Sequence, residues 1–284
     1  MNYKSLGHFT ALILFVEAAL MLPALILSLV FGEPASTSAY VKTLLIICAL
    51  GGVLLLLGRG GKANDFFEKE GLACAGISWL VLGLTGALPF YISGQIPAYI
   101  DAVFETVSGF TTTGASILSD VERLDKSLLY WRSFTHWIGG MGVLVFMMAI
   151  LPTDSDGSVH ILRAEMTGPT FGKLVPRLRK SATILYLIYV GITVLEVIFL
   201  LFGGKNLYES LVYAFGTAGT GGFGLKGDSM TGESAYVQWV LIAFMILFGV
   251  NFNLYYMLLL GKVKDVFRNR ELWFYMGVLC GSSV

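Results

Sequence analysis

The apolar positions of this chain fall into six long runs, each about the length of a membrane-crossing helix. A helix that crosses a hydrocarbon core of ~30 Å needs about 20 apolar residues. The runs cover residues 9–31, 40–58, 72–92, 128–151, 182–203 and 236–260. A seventh run begins at Leu272 and is too short to span before the chain stops at Val284. The pattern predicts an all-α polytopic membrane protein, and we expect its C-terminus to be a cut inside a helix.

Charged residues are sparse and unevenly placed. They make up 13% of the 284 residues, whereas about 25% is usual for a soluble domain. Of the 19 Lys and Arg residues, 13 lie near the N-terminus or in the alternate loops 59–71, 152–181 and 261–271. Because cytoplasmic loops carry the excess of Lys and Arg, the N-terminus is predicted to be cytoplasmic. A net charge of zero gives no reason to expect a nucleic-acid partner.

The two long outward-facing connections, 93–127 and 204–235, are only partly polar. Each contains a segment too short to cross a membrane, YIDAVFETVSGF at 99–110 and LYESLVYAFGTA at 207–218. We predict that each is a short helix dipping into the bilayer from outside. A stretch rich in Gly and Thr follows each one, TTTGAS at 111–116 and GTGGFG at 219–224.

These connections align with each other at one constant offset along the chain. Asp101 falls on Glu209, Thr112 on Thr220 and Gly114 on Gly222, and the order of elements around them is the same. The pattern predicts two parallel span–pore helix–filter loop–span repeats. They cover 72–152 and 182–261, are joined by a cytoplasmic loop at 153–181, and follow an N-terminal transmembrane helix pair at 1–60.

A Gly/Thr strand at membrane depth has a chemical use. Non-helical backbone is tolerated there only where protein buries it or water bathes it, and its carbonyl and hydroxyl oxygens can replace the water shell of a cation. Asp101 and Glu209 lie near the N-termini of the short helices, which favours capping, with concentration of cations at the pore mouth as the alternative. The spans hold no cluster of hard carboxylate ligands, which argues against a divalent-ion cage.

Four segments carry a family resemblance. FETVSGFTTTGAS at 104–116 resembles the first pore loop of the TrkH branch of the Trk/Ktr/HKT potassium transporters, and WRSFTHWIGGMGVLVFMMAILP at 131–152 resembles the span that follows it. HILRAEMTGPTFGKLVPRLRKSA at 160–182 and GTAGTGGFG at 216–224 are similar to the next cytoplasmic loop and the second pore loop. The resemblance covers nearly all of the chain.

The resemblance implies four span–loop–span units around one pore. This chain would then hold an extra helix pair, two units and, at 262–284, a cytoplasmic loop and the start of a truncated third repeat, which is half of a fourfold pseudo-symmetric pore. The implied selectivity filter comprises Thr111, Thr112, Thr113, Gly114 and Ala115 with Gly219, Thr220, Gly221, Gly222 and Phe223. Potassium is implied at Thr112, Thr113, Thr220 and Gly221, because filter glycines at Gly114 and Gly222 accompany potassium preference in this family.

The resemblance also implies partners and a location. It points to potassium uptake across the inner cell membrane by a multi-pass protein in the lipid bilayer, to a homodimer, and to a cytosolic TrkA-like nucleotide-binding regulator. Potassium is the expected substrate and no bound cofactor is expected. Two units cannot close a four-sided filter, so either two chains pair or the chain is a fragment. We expect no potassium uptake by the chain alone.

Other functions fit less well. A secondary transporter of another monovalent cation, such as sodium, is an alternative, but the two repeats run in the same direction, which suits a central pore better. GTGGFG matches a dinucleotide fingerprint only formally, since no strand precedes it. An enzyme is not expected, because H-E-x-x-H and G-x-S-x-G motifs are absent.

Two features inside the spans have more than one interpretation. Glu196 is a functional candidate by default, with snorkelling or pairing with Arg132 as alternatives. The glycines of WIGGMG at 137–142 favour close helix packing, with flexibility below the filter second.

Overall fold

The computed structural model describes residues 3–58, 68–142 and 178–282, and all regular structure within these ranges is helical. The all-α fold class is therefore confirmed. The helices, numbered along the chain, are α1 Tyr3–Val30, α2 Pro34–Leu57, α3 Glu68–Gly86, α4 Leu88–Ile92, α5 Tyr99–Phe110, α6 Lys126–Gly140, α7 Leu178–Phe202, α8 Leu207–Ala218, α9 Ala235–Gly249, α10 Phe252–Leu259, α11 Val263–Phe267 and α12 Arg270–Ser282.

Four helical segments in the described ranges are long and apolar enough to cross a membrane. They are Tyr3–Val30, Pro34–Leu57, Ala73–Ile92 and Ala182–Phe202, and the bent pair α9–α10 would make a fifth. These positions agree with the predicted runs. Residues 143–177 lie outside the described ranges, as do 59–67, so the inner part of the predicted span 128–151 and most of the predicted cytoplasmic loop 153–181 are not tested.

The predicted span 236–260 is broken into two helices. The chain bends by 86° between α9 and α10. Val250 is extended, with φ −73° and ψ 140°, and the side chain of Asn251 accepts a hydrogen bond from the backbone N–H of Asn253 at the start of α10. Hydropathy did not reveal this break because the apolar run resumes after Asn251 and Asn253, and polar residues inside a span do not by themselves end a helix. The broken segment packs near α12, where Tyr275 donates its hydroxyl to the carbonyl of Ile246 at 3.1 Å.

The N-terminal pair α1–α2 packs on the first unit and fixes the N-terminal end of α6. The carboxylate of Glu33, in the turn between α1 and α2, accepts hydrogen bonds from the backbone N–H groups of Lys126 (2.8 Å) and Ser127 (3.1 Å). These N–H groups have no partner within their own helix. Within the membrane-spanning part, Thr85 of α3 donates to the buried carboxylate of Glu17 in α1. The pair is thus tied to the first unit at two depths.

The two short helices have the bounds that the sequence predicts. Both α5 and α8 contain 12 residues, and α6 packs against both of them. The buried side chains form two clusters, one around α1, α3, α5 and α6 and the other around α7, α8 and α9. Trp137 of α6 packs against both clusters, so α6 joins the two units.

Candidate ion-binding site

The candidate site consists of the two irregular segments that follow α5 and α8, which we call loop 1 (residues 111–116) and loop 2 (residues 219–224). Their backbones turn in the same way at aligned positions. Thr112 and Thr220 have φ of 55° and 54°, and Gly114 and Gly222 have φ of 75° and 79°. Glycine adopts such angles readily, whereas threonine rarely does. The constant offset found in the sequence therefore aligns residues with the same backbone conformation.

The backbone hydrogen bonds of loop 1 and loop 2 match at the second residue of each loop and differ further on. The N–H of Thr112 donates to the carbonyl of Gly109 at 2.9 Å, and the aligned N–H of Thr220 donates to the carbonyl of Thr217 at 2.8 Å. One residue further on, the N–H of Thr113 donates to the carbonyl of Ser108. In loop 2 the corresponding carbonyl, that of Gly216, instead accepts from Gly222. The two loops thus share one hydrogen bond and differ in the next.

The two loops touch each other at their glycines. A Cβ atom built on Gly114 would overlap the carbonyl oxygen of Gly221, and a Cβ on Gly219 would lie 3.1 Å from the side-chain methyl of Thr112. The structure therefore brings together residues that are far apart in the sequence. Because each short helix ends at its loop, the partly negative C-terminal ends of α5 and α8 both lie beside this contact.

Helix α6 supports both loops through two adjacent glycines. A Cβ on Gly139 would overlap the carbonyl oxygen of Phe110 at the end of α5. A Cβ on Gly140 would lie 3.1 Å from the carbonyl oxygen of Ala218 at the end of α8, and 2.5 Å from the hydroxyl of Tyr189. The close-packing interpretation of WIGGMG is confirmed for these two glycines, since any side chain would separate α6 from the ends of α5 and α8.

The predicted filter residues differ in exposure. Thr111, Thr113, Ala115, Thr220 and Gly222 are exposed, and Thr112, Gly114 and Gly221 are half-buried. Gly219 and Phe223 are buried. The ring of Phe223 turns away from the exposed face and stacks on His136, with ring centroids 3.9 Å apart. The side chain of Phe223 therefore contributes to packing, and only its backbone could contact an ion.

A buried ion pair lies behind loop 1, and sequence reasoning missed it. Nε of Arg132 in α6 lies 2.5 Å from the Glu105 carboxylate in α5, and the two side chains are 4% and 0% exposed. Arg132 therefore pairs with Glu105 and not with Glu196. Glu196 is itself fully buried in α7, so it does not snorkel. The available signal was opposite charge in two neighbouring apolar segments, since buried charges are normally paired.

The caps of the short helices also differ from expectation. Glu209 lies in the first turn of α8, but the capping side chain is Asn206, whose oxygen accepts from the N–H of Glu209 at 2.9 Å. Asp101 lies in the first turn of α5, whose N-cap residue, Ala98, makes no side-chain hydrogen bond. Neither acidic residue is therefore a cap, and both lie at the positive helix ends, where negative charge is favourable.

The chemistry of the site is that of neutral oxygen ligands. The exposed face of the loops offers threonine hydroxyls, with Thr111 and Thr113 paired at 2.8 Å, and backbone carbonyls. Within the described ranges, no group of three or more His, Cys, Asp or Glu side chains is placed to hold a metal ion. Such oxygen ligands can coordinate a dehydrated monovalent cation.

Comparison with known proteins identifies the family. The sequence profile of the TrkH family, described as a cation transport protein, matches residues 36–277. This chain belongs to the TrkH family. It is 32% identical to the Trk system potassium uptake protein TrkH of Escherichia coli over 283 residues, which cover 98% of this chain and 58% of that protein. It is also 32% identical to the Trk system potassium uptake protein TrkH of Halomonas elongata, over 99% of this chain and 59% of that protein.

A solved structure supports the same assignment. The crystal structure of the potassium transporter TrkH from Vibrio parahaemolyticus superposes with a TM-score of 0.76 and 27% sequence identity, covering 90% of this chain and 52% of that one. The chain thus has the TrkH fold and spans little more than half the length of the relatives it matches. These relatives are named as transport proteins, and the helices of this chain are those of a multi-pass membrane protein of that family.

Proposed function

We propose that this chain takes part in potassium uptake across the cytoplasmic membrane, through an ion path lined by loop 1 and loop 2. One observation carries the proposal. Two helix–loop segments with the same backbone angles meet at Gly114 and Gly221, with threonine hydroxyls and backbone carbonyls as the available ligands. Potassium as substrate is supported by the names of the relatives, which are potassium uptake proteins. Thr112, Thr113, Thr220 and Gly221 are the proposed ion contacts.

We further propose that the two units are repeats that make up half of a fourfold pseudo-symmetric pore. The matched φ angles at Thr112 and Thr220 and the equal lengths of α5 and α8 support this. A homodimer and a cytosolic TrkA-like regulator belong to the same proposal and rest on family membership. So do the inner-membrane location and the cytoplasmic N-terminus, which the distribution of Lys and Arg also favours.

The test uses growth of a bacterium that lacks its own potassium uptake systems. The chain is expressed alone and, separately, in place of the matching 58% of the E. coli TrkH protein. We expect the chimera to restore growth at low potassium and to take up rubidium in preference to sodium. We expect the chain alone not to restore growth.

A matched pair of glycine substitutions tests the ion path itself. Gly222 and Gly94 have φ of 79° and 78°, and a Cβ on either would meet no atom within 4 Å. Gly222→Ser and Gly94→Ser therefore impose the same backbone strain, but only Gly222 belongs to the proposed filter. We expect only Gly222→Ser to lower the rubidium-to-sodium uptake ratio of the chimera. Equal ratios in the two variants would contradict the proposed path, and a chimera that prefers sodium would favour the sodium alternative.

A further inference from the structure

The carboxylate of Glu105 organises the end of loop 1. Glu105 is fully buried in α5, and its two oxygens accept hydrogen bonds from the hydroxyl of Ser116 at 2.9 and 3.1 Å. One of them also accepts from the backbone N–H of Ile117 at 3.0 Å. The exit of loop 1 is therefore held against the helix that precedes it.

Arg132 extends this arrangement to the other loop. Beyond its ion pair with Glu105, its Nη1 donates to the carbonyl oxygen of Gly224, the last residue of loop 2, at 3.3 Å. Its guanidinium carbon also lies 3.5 Å from the centre of the Phe223 ring. Arg132 thus contacts loop 2 directly and loop 1 through Glu105.

Stability alone gives a weak reason for such a pair. Replacing a buried ion pair by well-packed apolar side chains is often neutral or stabilising, whereas removing one partner is costly. A buried pair is better explained by the geometry that it specifies. Arginine suits this role because its planar fork can bond in two directions and stack on a ring at the same time.

The pair occurs at only one of the two aligned places. The offset that aligns the two loops carries Glu105 to Tyr213 and Arg132 to Val240, neither of which is charged. The contact therefore belongs to the junction where α6 passes between loop 1 and loop 2, and it is not a general feature of each unit.

We propose that Glu105 and Arg132 are positioning residues that fix loop 1 and loop 2 relative to each other and so determine which monovalent cation the loops accept. This rests on the proposed function for the identity of the ion, but the coupling of the loops can be measured without any ion.

The experiment is amide hydrogen exchange in lipid nanodiscs on the purified chimera, in which this chain replaces the matching 58% of the E. coli TrkH protein. Exchange is measured in potassium, in sodium and in N-methylglucamine, which is too large to enter the site. The central variant is Arg132→Lys, whose ammonium keeps the ion pair with Glu105 but cannot also reach Gly224 and stack on Phe223. The control is Arg123→Lys, since Arg123 is exposed and pairs with Asp120 at 3.8 Å on the outer surface.

In N-methylglucamine we expect Arg132→Lys to speed exchange in peptides covering 219–226 by roughly tenfold, because a hydrogen bond from a charged donor is lost. Peptides covering 105–118 should change much less, and Arg123→Lys should change neither. The double variant Glu105→Gln/Arg132→Gln leaves no unpaired charge and should loosen both loops. Wild-type exchange at 219–226 in both Arg132 variants would overturn the proposal, as would global unfolding of both, which would assign the pair to stability alone.

Comparison of the three cations tests cation selectivity separately from the coupling of the two loops. In the wild type we expect potassium to protect both loops more than sodium does. In Arg132→Lys we expect the ratio of the exchange rate in sodium to the exchange rate in potassium to fall towards one. An unchanged ratio would overturn the selectivity part of the proposal. If potassium gave the wild type no protection, the proposed function would fail, while the N-methylglucamine results would still decide whether the pair couples the loops.

Discussion

Residues 99–115 and 207–223 match in helix length and in φ at two loop positions, but different side chains hold them in place. At the aligned positions 108 and 216 the first segment has serine and the second has glycine. The hydroxyl of Ser108 donates to the carbonyl of Ala115 at 2.6 Å, whereas a Cβ on Gly216 would overlap the carbonyl oxygen of Phe223. Loop 1 is thus held to its helix through a polar spacer, and loop 2 packs directly on backbone.

The difference extends to the outer ends of the segments. Helix α8 has a side-chain cap, Asn206, while α5 has none at Ala98. In the first segment, polar contacts are concentrated behind the loop, at Glu105. Beside the second segment they lie in the flanking connections, where Glu233 forms ion pairs with Lys205 and, at 3.3 Å, with Lys226. One backbone conformation is therefore reached through two sets of contacts, so aligned substitutions should have unequal effects.

The largest difference in loss of stability is expected between Gly114→Ala and Gly222→Ala. Both place a Cβ at positive φ, which costs roughly 1–2 kcal/mol, but only the Cβ at position 114 would overlap the other loop, at Gly221. The overlap adds about 1–3 kcal/mol. Thermal unfolding of the purified chain measures both, with Gly94→Ala as the control for strain alone. Equal losses at 114 and 222 would show that the loops do not touch as described.

A smaller difference in loss of stability is expected between substitutions at the aligned positions 108 and 216. Gly216→Ser forces a side chain into the space taken by the Phe223 carbonyl and should destabilise the chain by roughly 1–3 kcal/mol. Ser108→Ala removes one hydrogen bond, worth about 1 kcal/mol. Both are read from thermal unfolding, and hydrogen exchange at 219–224 should rise in Gly216→Ser alone. If Ser108→Ala destabilised the chain more than Gly216→Ser does, the polar contact at position 108 would matter more than the backbone packing at position 216, contrary to this prediction.

The difference in N-terminal capping between α5 and α8 can be reversed by substitution. Asn206→Ala should lower the free energy of unfolding by about 1 kcal/mol, because Asn is a strong N-cap and Ala a poor one. Ala98→Asn should raise it by a smaller amount, since the backbone at Ala98, with φ −92° and ψ 120°, already has the extended conformation of an N-cap residue. Circular dichroism during thermal unfolding checks both. Destabilisation by Ala98→Asn would mean that the space beside α5 does not admit the cap.

The smallest effect is a pH dependence confined to the connections that flank the second segment. Hydrogen bonding from Lys205, with help from Lys226, lowers the pKa of Glu233 below its usual value of 4.5. The charged form is therefore favoured by folding, and its contribution is complete above pH 4.5 and is lost as the pH falls through the lower folded pKa. The difference in melting temperature between the wild type and Glu233→Gln should shrink below pH 4.5. A difference that stays constant from pH 7 to pH 3 would contradict the ion pairs.

The sequence was enough for the parts of this fold that local patterns determine. The bounds of α5 and α8 follow from apolar periodicity that stops at Gly/Thr stretches, and one constant offset aligns Thr112 with Thr220 and Gly114 with Gly222. These are local properties, since turn residues and helix ends depend on a few neighbours.

What the sequence did not reveal depends on contacts between distant residues. The pairing of Arg132 with Glu105 requires α6 to lie behind α5, and the burial of the Phe223 ring requires α6 to lie beside loop 2. The bend at Val250 shows the same limitation, because Gly249, Asn251 and Asn253 interrupt the apolar run without determining whether the helix continues through them.

Thr112 and Thr220 have a consequence for how this chain balances folding against function. A branched side chain at φ near 55° is strained, by roughly 1–2 kcal/mol for each residue. Glycine at both positions would remove that strain, and a sequence optimised only for thermostability would carry it there. If Thr112 and Thr220 contact the ion as proposed above, stability is given up at these positions in exchange for ion-binding hydroxyl groups. Engineering for a more robust protein should leave them alone and start with positions such as Ala98 at the N-terminus of α5.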